Sequence, residues 1–307
     1  MNRAIKGLHH ITAIASNARR NVDFYTRVFG LRLVKKTVNF DDPGTYHFYY
    51  GNETGEPGTI LTFFPWEGIG QGRTGTGMAT EIHYAVPKGS LEFWEKRLKE
   101  NGVVFVKGKA VFDGEKLKVL DPDGLILNLV ESDDEIKPWK SIPEQFAVKG
   151  FRGVVLTVNR HELTAKVLTD ILGYDIQKQE SNYFRLVHSS AKTAGIIDIM
   201  EQPLGKRGVN AAGTNHHIAF RVENEQVLME YREKLESTGL SVTPMIDRNY
   251  FYSVYFREPG GVLFEIATEN PGFMVDENIE DLGKALKLPA QYEPARTEIE
   301  KLLPKID

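Results

Sequence analysis

The chain has 307 residues, of which 41% are hydrophobic and 26% charged, as expected of a folded protein with one large or two modest domains. Its 38 basic and 42 acidic residues give a net charge of −4, which argues against a basic surface that binds nucleic acid. The chain contains no cysteine, so disulfides, thiolate catalysis and cysteine-bound metals are excluded, and any metal ion must be held by histidine and carboxylate.

The sequence shows neither the apolar core of a signal peptide at its start nor an apolar stretch of membrane-spanning length. A cytoplasmic protein that has no membrane partner is therefore the expectation.

The first predicted element is a strand over Lys6–Asn17, a short apolar run that is rich in β-branched residues. Two adjacent histidines lie in its middle. Because successive strand side chains point to opposite faces, only one of the two can face a given cavity. His10 shares its face with Thr12, so we expect His10 rather than His9 to be an inward-facing ligand.

A helix over Ala18–Phe29 and strands over Leu31–Phe40, Tyr46–Tyr50 and Thr59–Phe64 complete a β-α-β-β-β unit. The glycine-rich segment Glu67–Gly77 follows. A phosphate-binding loop is one interpretation of this segment, but no Lys-Ser/Thr pair follows and no helix begins there. A lid or a connector is the favoured interpretation.

The same order of elements begins again at Thr80. The pattern predicts a strand over Thr80–Val86, a helix over Leu91–Asn101 and short strands at Val103–Lys107, Ala110–Phe112, Leu117–Leu120 and Leu125–Val130. The segment after the last strand is acidic, then carries prolines, and has no periodicity, so residues 133–148 are the predicted linker.

The second half of the chain repeats the first. The segment from Lys149 aligns with the segment from Lys6 at an offset of 143, which also superimposes the predicted helix ends at Gly30 and Gly173. A fourth unit begins with the strand Thr214–Val222. Its helix ends at a glycine that lies 137 residues after the corresponding glycine of the second unit.

The predicted fold class is α+β, with four β-α-β-β-β modules at 1–66, 79–132, 149–202 and 213–270. Modules one and two form a predicted N-terminal domain, 1–132, and modules three and four a C-terminal domain, 149–270. Residues 271–307 are a polar tail with a predicted helix at Glu298–Leu303, expected to pack on the surface.

The aligned strands show which positions carry metal-ligand residue types. Units one and four together supply a complete set, formed by His10, His217 and Glu265. The aligned positions in units three and two carry an incomplete set, formed by Gly153, His83 and Asn128. We therefore expect one intact site and one decayed site, with units one and four in contact.

A carboxylate at position 265 in an otherwise apolar strand needs a partner, because an unpaired buried charge is costly. A metal ion would supply that partner, and so would a salt bridge. Two histidines and one carboxylate leave coordination positions of an Fe(II) ion open for substrate and O2. Zn2+ can use the same residues together with a bound water, so the pattern leaves the metal open.

Five motifs carry a resemblance to a known family: Leu8–Thr12, Asp42–Gly51, Glu56–Trp66, Asn215–Phe220 and Arg257–Glu265. With them the chain resembles, nearly end to end, the vicinal oxygen chelate superfamily of glyoxalases, bleomycin resistance proteins and extradiol dioxygenases. Within it, the chain looks like the ring-cleaving hydroquinone dioxygenases, including the chlorohydroquinone dioxygenases. The resemblance implies two glyoxalase-like domains with mixed, cupped β-sheets.

The resemblance also implies site residues. It places Fe(II), with Mn2+ or Zn2+ as alternatives, on His10, His217 and Glu265. Catalytic or substrate-binding groups beside the metal would be His9, Thr12, His216, Arg248 and Tyr255, with Thr12 and Arg248 binding substrate. Strict alternation points His9 and His216 away from the ligand face, unless a bulge turns them. The remaining histidines are interpreted as structural (His47) or as surface or core residues (His161 and His188).

The function that the resemblance implies is insertion of O2 into a hydroquinone- or catechol-type ring, in the catabolism and detoxification of small aromatic compounds. Two alternatives stay open on the same scaffold. One is a glyoxalase-like isomerase or thiol transferase, disfavoured because the strand Thr59–Phe64 offers no fourth carboxylate ligand. The other is a metal-free binding protein that confers resistance. Edge strands of such sheets could also pair in a homo-oligomer.

Overall fold

Residues 5–306 are described by the computed structural model, and they form four β-α-β-β-β units followed by a tail. Unit one contains β1 (Leu8–Ala15), α1 (Ala18–Asp23, continued by a π-helical turn over Phe24–Val28), β2 (Arg32–Asn39), β3 (Asp42–Gly51) and β4 (Ile60–Pro65). Unit two contains β5 (Met78–Val86), α2 (Leu91–Glu100), β6 (Phe105–Ala110), β7 (Gly114–Leu120) and β8 (Ile126–Glu131).

The second half repeats this order. Unit three contains β9 (Gly150–Val158), α3 (His161–Lys166, continued by a π-helical turn over Val167–Ile171), β10 (Asp175–Glu180), β11 (Tyr183–Val187) and β12 (Ile196–Glu201). Unit four contains β13 (Thr214–Val222), α4 (Glu225–Ser237), β14 (Ile246–Asp247), β15 (Phe251–Arg257) and β16 (Leu263–Pro271). The tail contains three short 3-10 turns and α5 (Arg296–Leu302).

These elements confirm the predicted α+β class and the four modules with mixed, cupped sheets. One local prediction was wrong: residues 110–112 are not a separate strand, because β6 and β7 form one hairpin whose turn lies at 111–113. None of the helices within residues 5–306 is both long and apolar enough to cross a membrane.

Helix ends follow the local chemistry that the sequence indicates. The side chain of Asn17 accepts a hydrogen bond from the backbone N–H of Arg20 and so caps α1. Asn224 caps α4 in the same way. The chain leaves the helical region of unit one at Gly30, whose φ of +68° is readily adopted only by glycine.

Each sheet combines one unit from the first half of the chain with one unit from the second half. The first sheet has the order β14-β15-β16-β13-β1-β4-β3-β2, so it joins unit four to unit one. The second has the order β10-β11-β12-β9-β5-β8-β7-β6 and joins unit three to unit two. The predicted contact between units one and four is thus present. The predicted domains, 1–132 and 149–270, correspond to the two halves of the chain, and their limits stay a prediction.

Two connecting segments run between the sheets and pair with each other. Isolated bridges join Gln71 to Ala212, Arg73 to Val209 and Thr76 to Arg207. The glycine-rich segment 67–77 is therefore one of these connectors in the structure. The linker 133–148 has no regular element, and it packs on unit one where Ser141 donates a hydrogen bond to the carbonyl of Gly30.

Successive side chains of β3 point alternately to the hydrophobic core and to the opposite face of the first sheet. Tyr46, Phe48 and Tyr50 belong to the main hydrophobic core. The side chains between them point away from that core, and Tyr49 packs instead with Phe273 of the tail. The first sheet therefore has one face buried under helices and a second face that is partly covered by the tail.

The tail is anchored by charge as well as by apolar contact. The ammonium group of Lys35 in β2 is fully buried and forms ion pairs with Asp276 and Glu277. A buried ammonium is stable only when carboxylates of this kind surround it. The tail is therefore an integral part of the first sheet rather than a loosely attached surface segment.

We predict that Lys35→Met lowers the free energy of unfolding by about 3 kcal/mol, because it leaves two carboxylates without their buried cation. Lys36→Met is the matched control, since Lys36 lies next in the strand on the other face and makes no such ion pair in the described structure. Denaturant unfolding would measure both. Equal losses for the two variants would contradict the anchoring role.

Candidate metal centre

The site lies where β1 and β13 pair in the middle of the first sheet. The two strands are antiparallel, and their register is interrupted twice. Leu8 and His10 face Phe220 and Ala219, so His9 is an extra residue; Thr12 and Ala13 face His217 and Asn215, so His216 is another. Each extra residue is a β-bulge, which turns its side chain out of strict alternation.

The two paired strands and β16 bring the predicted ligands together. Nε2 of His10 lies 3.2 Å from Oε2 of Glu265. Nε2 of His217 lies 2.9 Å from the same oxygen. Ligand atoms that share one ion at bond lengths of about 2.1 Å lie roughly 3 to 3.5 Å apart, so these separations suit a common metal.

The burial and polarity of these residues also fit a bound cation. All three are buried, and within residues 5–306 neither oxygen of Glu265 nor Nε2 of His217 has a hydrogen-bond partner. Burial acts to raise the pKa of Glu265, but the neighbouring His10 and His217 outweigh it and hold that pKa well below its usual range. The site therefore contains a buried carboxylate anion that a metal ion would satisfy.

The two bulge histidines support the two ligand histidines. Nδ1 of His9 lies 2.9 Å from Nδ1 of His10, and Nδ1 of His216 lies 2.8 Å from Nδ1 of His217. Burial lowers the pKa of His9 well below its usual value, so its ring is neutral and carries a single N–H.

That N–H is directed to the backbone carbonyl of Thr268. Nδ1 of His9 must then accept the hydrogen of His10 Nδ1, which leaves the Nε2 lone pair of His10 facing Glu265. His9 thus lies behind a ligand, while His216 lines the cavity in front of one.

A cavity of about 220 Å³ opens in front of His10 and His217. A cavity of about 150 Å³ holds benzene, so this one accommodates a single substituted ring. Apolar rings and polar groups both contribute to the walls, which are formed by His10, Thr12, Asn39, Phe40, Asp41, His47, Tyr49, Phe64, Trp66, His216, His217, Arg248, Phe251 and Tyr255.

Arg248 and Tyr255 form the polar wall of the cavity. Nε of Arg248 lies 3.3 Å from the hydroxyl of Tyr255, and Nη1 lies 3.4 Å from a carboxylate oxygen of the exposed Asp41. Burial raises the pKa of Tyr255 well above its usual value, and the negative charge of Glu265 acts in the same direction. Tyr255 therefore keeps its proton, and Arg248 stays cationic beside it.

His47 lines the cavity, whereas the sequence analysis predicts a structural role for it. Its ring contacts those of Tyr49 and Phe64, with centroids 4.1 and 4.4 Å away. The alternation of β3 was the signal that could have found it, because Tyr46, Phe48 and Tyr50 fill the core and leave His47 on the opposite face. His161 and His188 lie outside the cavity wall.

The second sheet lacks an equivalent site. A Cβ atom on Gly153 would lie 2.5 Å from the carbonyl oxygen of Ile196, so no side chain fits at the position that matches His10. His83 lies near Asp113 and Asp198, but the guanidinium of Arg185 already forms ion pairs with both carboxylates. The positive charge beside Asp113 and Asp198 is thus supplied by Arg185.

Comparison with known proteins agrees with this architecture. The profile of the glyoxalase/bleomycin resistance protein/dioxygenase superfamily matches residues 7–129 and 150–266. The chain belongs to this superfamily.

A relative from Bacillus subtilis (strain 168), named "Putative ring-cleaving dioxygenase MhqO", is 46% identical over 308 aligned positions, and the alignment covers 99% of this chain and 98% of that protein. The chlorohydroquinone/hydroquinone 1,2-dioxygenase of Sphingobium indicum is 34% identical over 96% of this chain and 95% of that protein.

Among solved structures, a "putative dioxygenase from Bacillus subtilis subsp. subtilis str. 168" superimposes with a TM-score of 0.95 at 44% identity, covering 99% of this chain and 98% of that one. This superfamily member therefore has close relatives named as ring-cleaving dioxygenases, and its own His10, His217 and Glu265 could hold a metal.

We predict that Glu265→Ala reduces metal affinity more than about 100-fold, because it removes the anionic ligand of the set. His83→Ala is the matched control, since His83 is the counterpart of His217 in the second sheet, and it should retain one metal ion per chain. Elemental analysis and titration against a chelator would measure both. Metal retained by Glu265→Ala would refute the assignment.

A second prediction concerns His9. His9→Phe removes the acceptor for Nδ1–H of His10, so metal affinity should fall about 10- to 100-fold, as it does when an outer partner of a ligand is lost. His9→Gln keeps an acceptor oxygen and should restore part of that affinity. An equal loss in both variants would point to a packing defect instead.

Proposed function

We propose that this chain is an Fe(II)-dependent ring-cleaving dioxygenase that inserts both atoms of O2 into a hydroquinone- or catechol-type aromatic. The observation that carries the proposal is the buried set of His10, His217 and Glu265, which opens onto a cavity of about 220 Å³, the size of a single ring. The names of the similar proteins support the same reaction.

A comparison of equivalent strands favours this chemistry over glyoxalase chemistry. In unit four, Glu265 of β16 pairs in register with Ala219, two residues after His217. In unit one the same relation holds for Thr62 of β4, which pairs with Thr12, two residues after His10. Thr62 thus occupies the place of a fourth protein ligand, and a metal held by only three side chains keeps positions open for substrate and O2.

Bound Fe(II) would supply those open positions and allow O2 to react with the ring. The chain's own residues position the substrate and its protons. Phe251 and Phe64 offer apolar ring surfaces and exclude water from the cavity. The permanent charge of Arg248 stabilises negative charge that develops on oxygen, and the hydroxyl of Tyr255 beside it donates a hydrogen bond.

His216 is suited to proton transfer. Burial and the adjacent His217 lower the pKa of His216 to about 3, so its ring is neutral at physiological pH. Its Nδ1 contacts His217, and the ring lines the cavity, where Nε2 can exchange a proton with the substrate. His9 positions His10, and Thr12 binds substrate. Iron is proposed over Mn2+ and Zn2+ because the reaction requires activation of O2.

The test is anaerobic loading with Fe(II), followed by oxygen uptake with a panel of hydroquinones and catechols. We expect one O2 consumed per ring opened and, with 18O2, two labelled oxygens in the product. Formation of lactoylglutathione by the loaded protein would favour an isomerase instead. Ligand binding that needs no metal would favour the resistance-protein alternative.

We predict that Arg248→Met lowers kcat about 100- to 1,000-fold while the iron content stays constant, because the charge that stabilises the reacting oxygen is lost. Arg160→Met, at the exposed N-terminus of α3 in unit three, is the control and should retain wild-type kcat. Steady-state oxygen uptake and iron analysis would measure both. An unchanged kcat in Arg248→Met would remove Arg248 from the proposed mechanism.

A further inference from the structure

A chain of four hydrogen-bonding side chains leads to the cavity from its unit-one side. The hydroxyl of Tyr49 lies 2.9 Å from Nδ1 of His47. Nε2 of His47 lies 3.0 Å from Oγ1 of Thr62, which in turn lies 2.8 Å from Oγ1 of Thr12. Thr12 ends the chain in the cavity wall, on the strand face that it shares with His10.

The direction of the hydrogens follows from the partners that each group has. Tyr49 is buried, and His47 is the only hydrogen-bond partner of its hydroxyl within residues 5–306, so we assign the hydrogen of that hydroxyl to Nδ1 of His47. Burial lowers the pKa of His47 well below its usual value, and the ring is therefore neutral. Its single N–H then lies on Nε2.

The remaining two bonds are fixed in turn. Nε2–H of His47 donates to Thr62, whose own hydrogen must therefore go to Thr12, the other acceptor within reach. The hydroxyl hydrogen of Thr12 has no acceptor among the described side chains and is free to point into the cavity. The reverse direction would turn the hydroxyl hydrogen of Tyr49, which also lines the cavity, toward the cavity in place of that of Thr12, and the tautomer of His47 distinguishes the two directions.

We propose that Tyr49 and His47 are positioning residues that hold the Thr12 hydroxyl as a hydrogen-bond donor for an anionic oxygen of the substrate. The inference rests on the proposed function, and it specifies the substrate as one that binds in its phenolate form. Each donor in the chain polarises the next, so Thr12 is a stronger donor than an isolated threonine.

The position of the chain explains this role. Thr62 stands where symmetry would place a second carboxylate, and a carboxylate there would repel a phenolate. The hydrogen-bonded series from Tyr49 to Thr12 offers a hydrogen-bond donor there instead of a carboxylate. The cavity wall thus carries the donor Thr12 on its unit-one side as well as the cation Arg248 on its unit-four side, and both favour an anionic oxygen of the substrate.

The direct test is the tautomer of His47. Full-length protein labelled with 15N-histidine and loaded with diamagnetic Zn2+ would be studied by long-range 1H–15N NMR, with the signals of His47 assigned by their loss in His47→Gln. We expect the Nε2–H tautomer in the wild type and a loss of that preference in Tyr49→Phe. An Nδ1–H tautomer in the wild type would overturn the proposal.

Tyr50→Phe is the matched control. Tyr50 is the next residue in β3, and its hydroxyl bonds to Asn21 on the opposite, core-facing side of the sheet. This variant should leave the His47 signals unchanged. A change of tautomer in Tyr50→Phe as large as that in Tyr49→Phe would show a general disturbance of the strand and would overturn the proposal.

The functional readout is anaerobic binding of chlorohydroquinone to the Fe(II)-loaded protein, measured by calorimetry. Tyr49→Phe should weaken binding about tenfold, the scale of one hydrogen bond to a charged group, with KM affected more than kcat. Unchanged affinity in Tyr49→Phe would overturn the role in substrate binding. If His47 carries the Nε2–H tautomer but the protein cleaves no ring, the proposed function is refuted, whereas the direction of the hydrogen bonds from Tyr49 to Thr12 still holds.

Discussion

The structure depends on the antiparallel pairing of β1 with β13. This pairing joins the first unit of the chain to the last and places His10 and His217 on one face of a continuous sheet. The parallel neighbour β16 then brings Glu265 between them as a fully buried carboxylate. A buried anion is unfavourable without a cation, so a metal ion bound here would link metal binding to folding.

The two sheets show how one scaffold supports different chemistry. Both are built from two units around an antiparallel central pair, but within residues 5–306 the second does not repeat the histidine, histidine and glutamate set at the equivalent positions. In the second, close backbone approach at Gly153 excludes a ligand, and Arg185 neutralises the nearby carboxylates. The second sheet thus stabilises the molecule without a metal cavity, and the first can retain a costly buried charge.

The two β-bulges and the hydrogen-bonded side chains from Tyr49 to Thr12 contribute residues to the same site from different sides. The bulges place His9 and His216 against the two ligand histidines, which fixes the orientation of those rings. The hydrogen-bonded side chains from Tyr49 to Thr12 include Thr62, which stands at the position that corresponds to Glu265, so no fourth protein ligand is present there. Together they describe a site in which three residues could hold a metal ion and further polar groups line the cavity beside them.

The sequence by itself determined the four modules and the α+β class and predicted His10, His217 and Glu265 as ligands, because internal repetition and strand periodicity are local properties that survive alignment. It did not determine which units share a sheet, although the ligand set required units one and four to meet. Only the tertiary structure decided the bulges at His9 and His216 and the buried ion pairs of Lys35. Each of these depends on contacts between residues far apart in the chain, and strict alternation along a single strand cannot anticipate them.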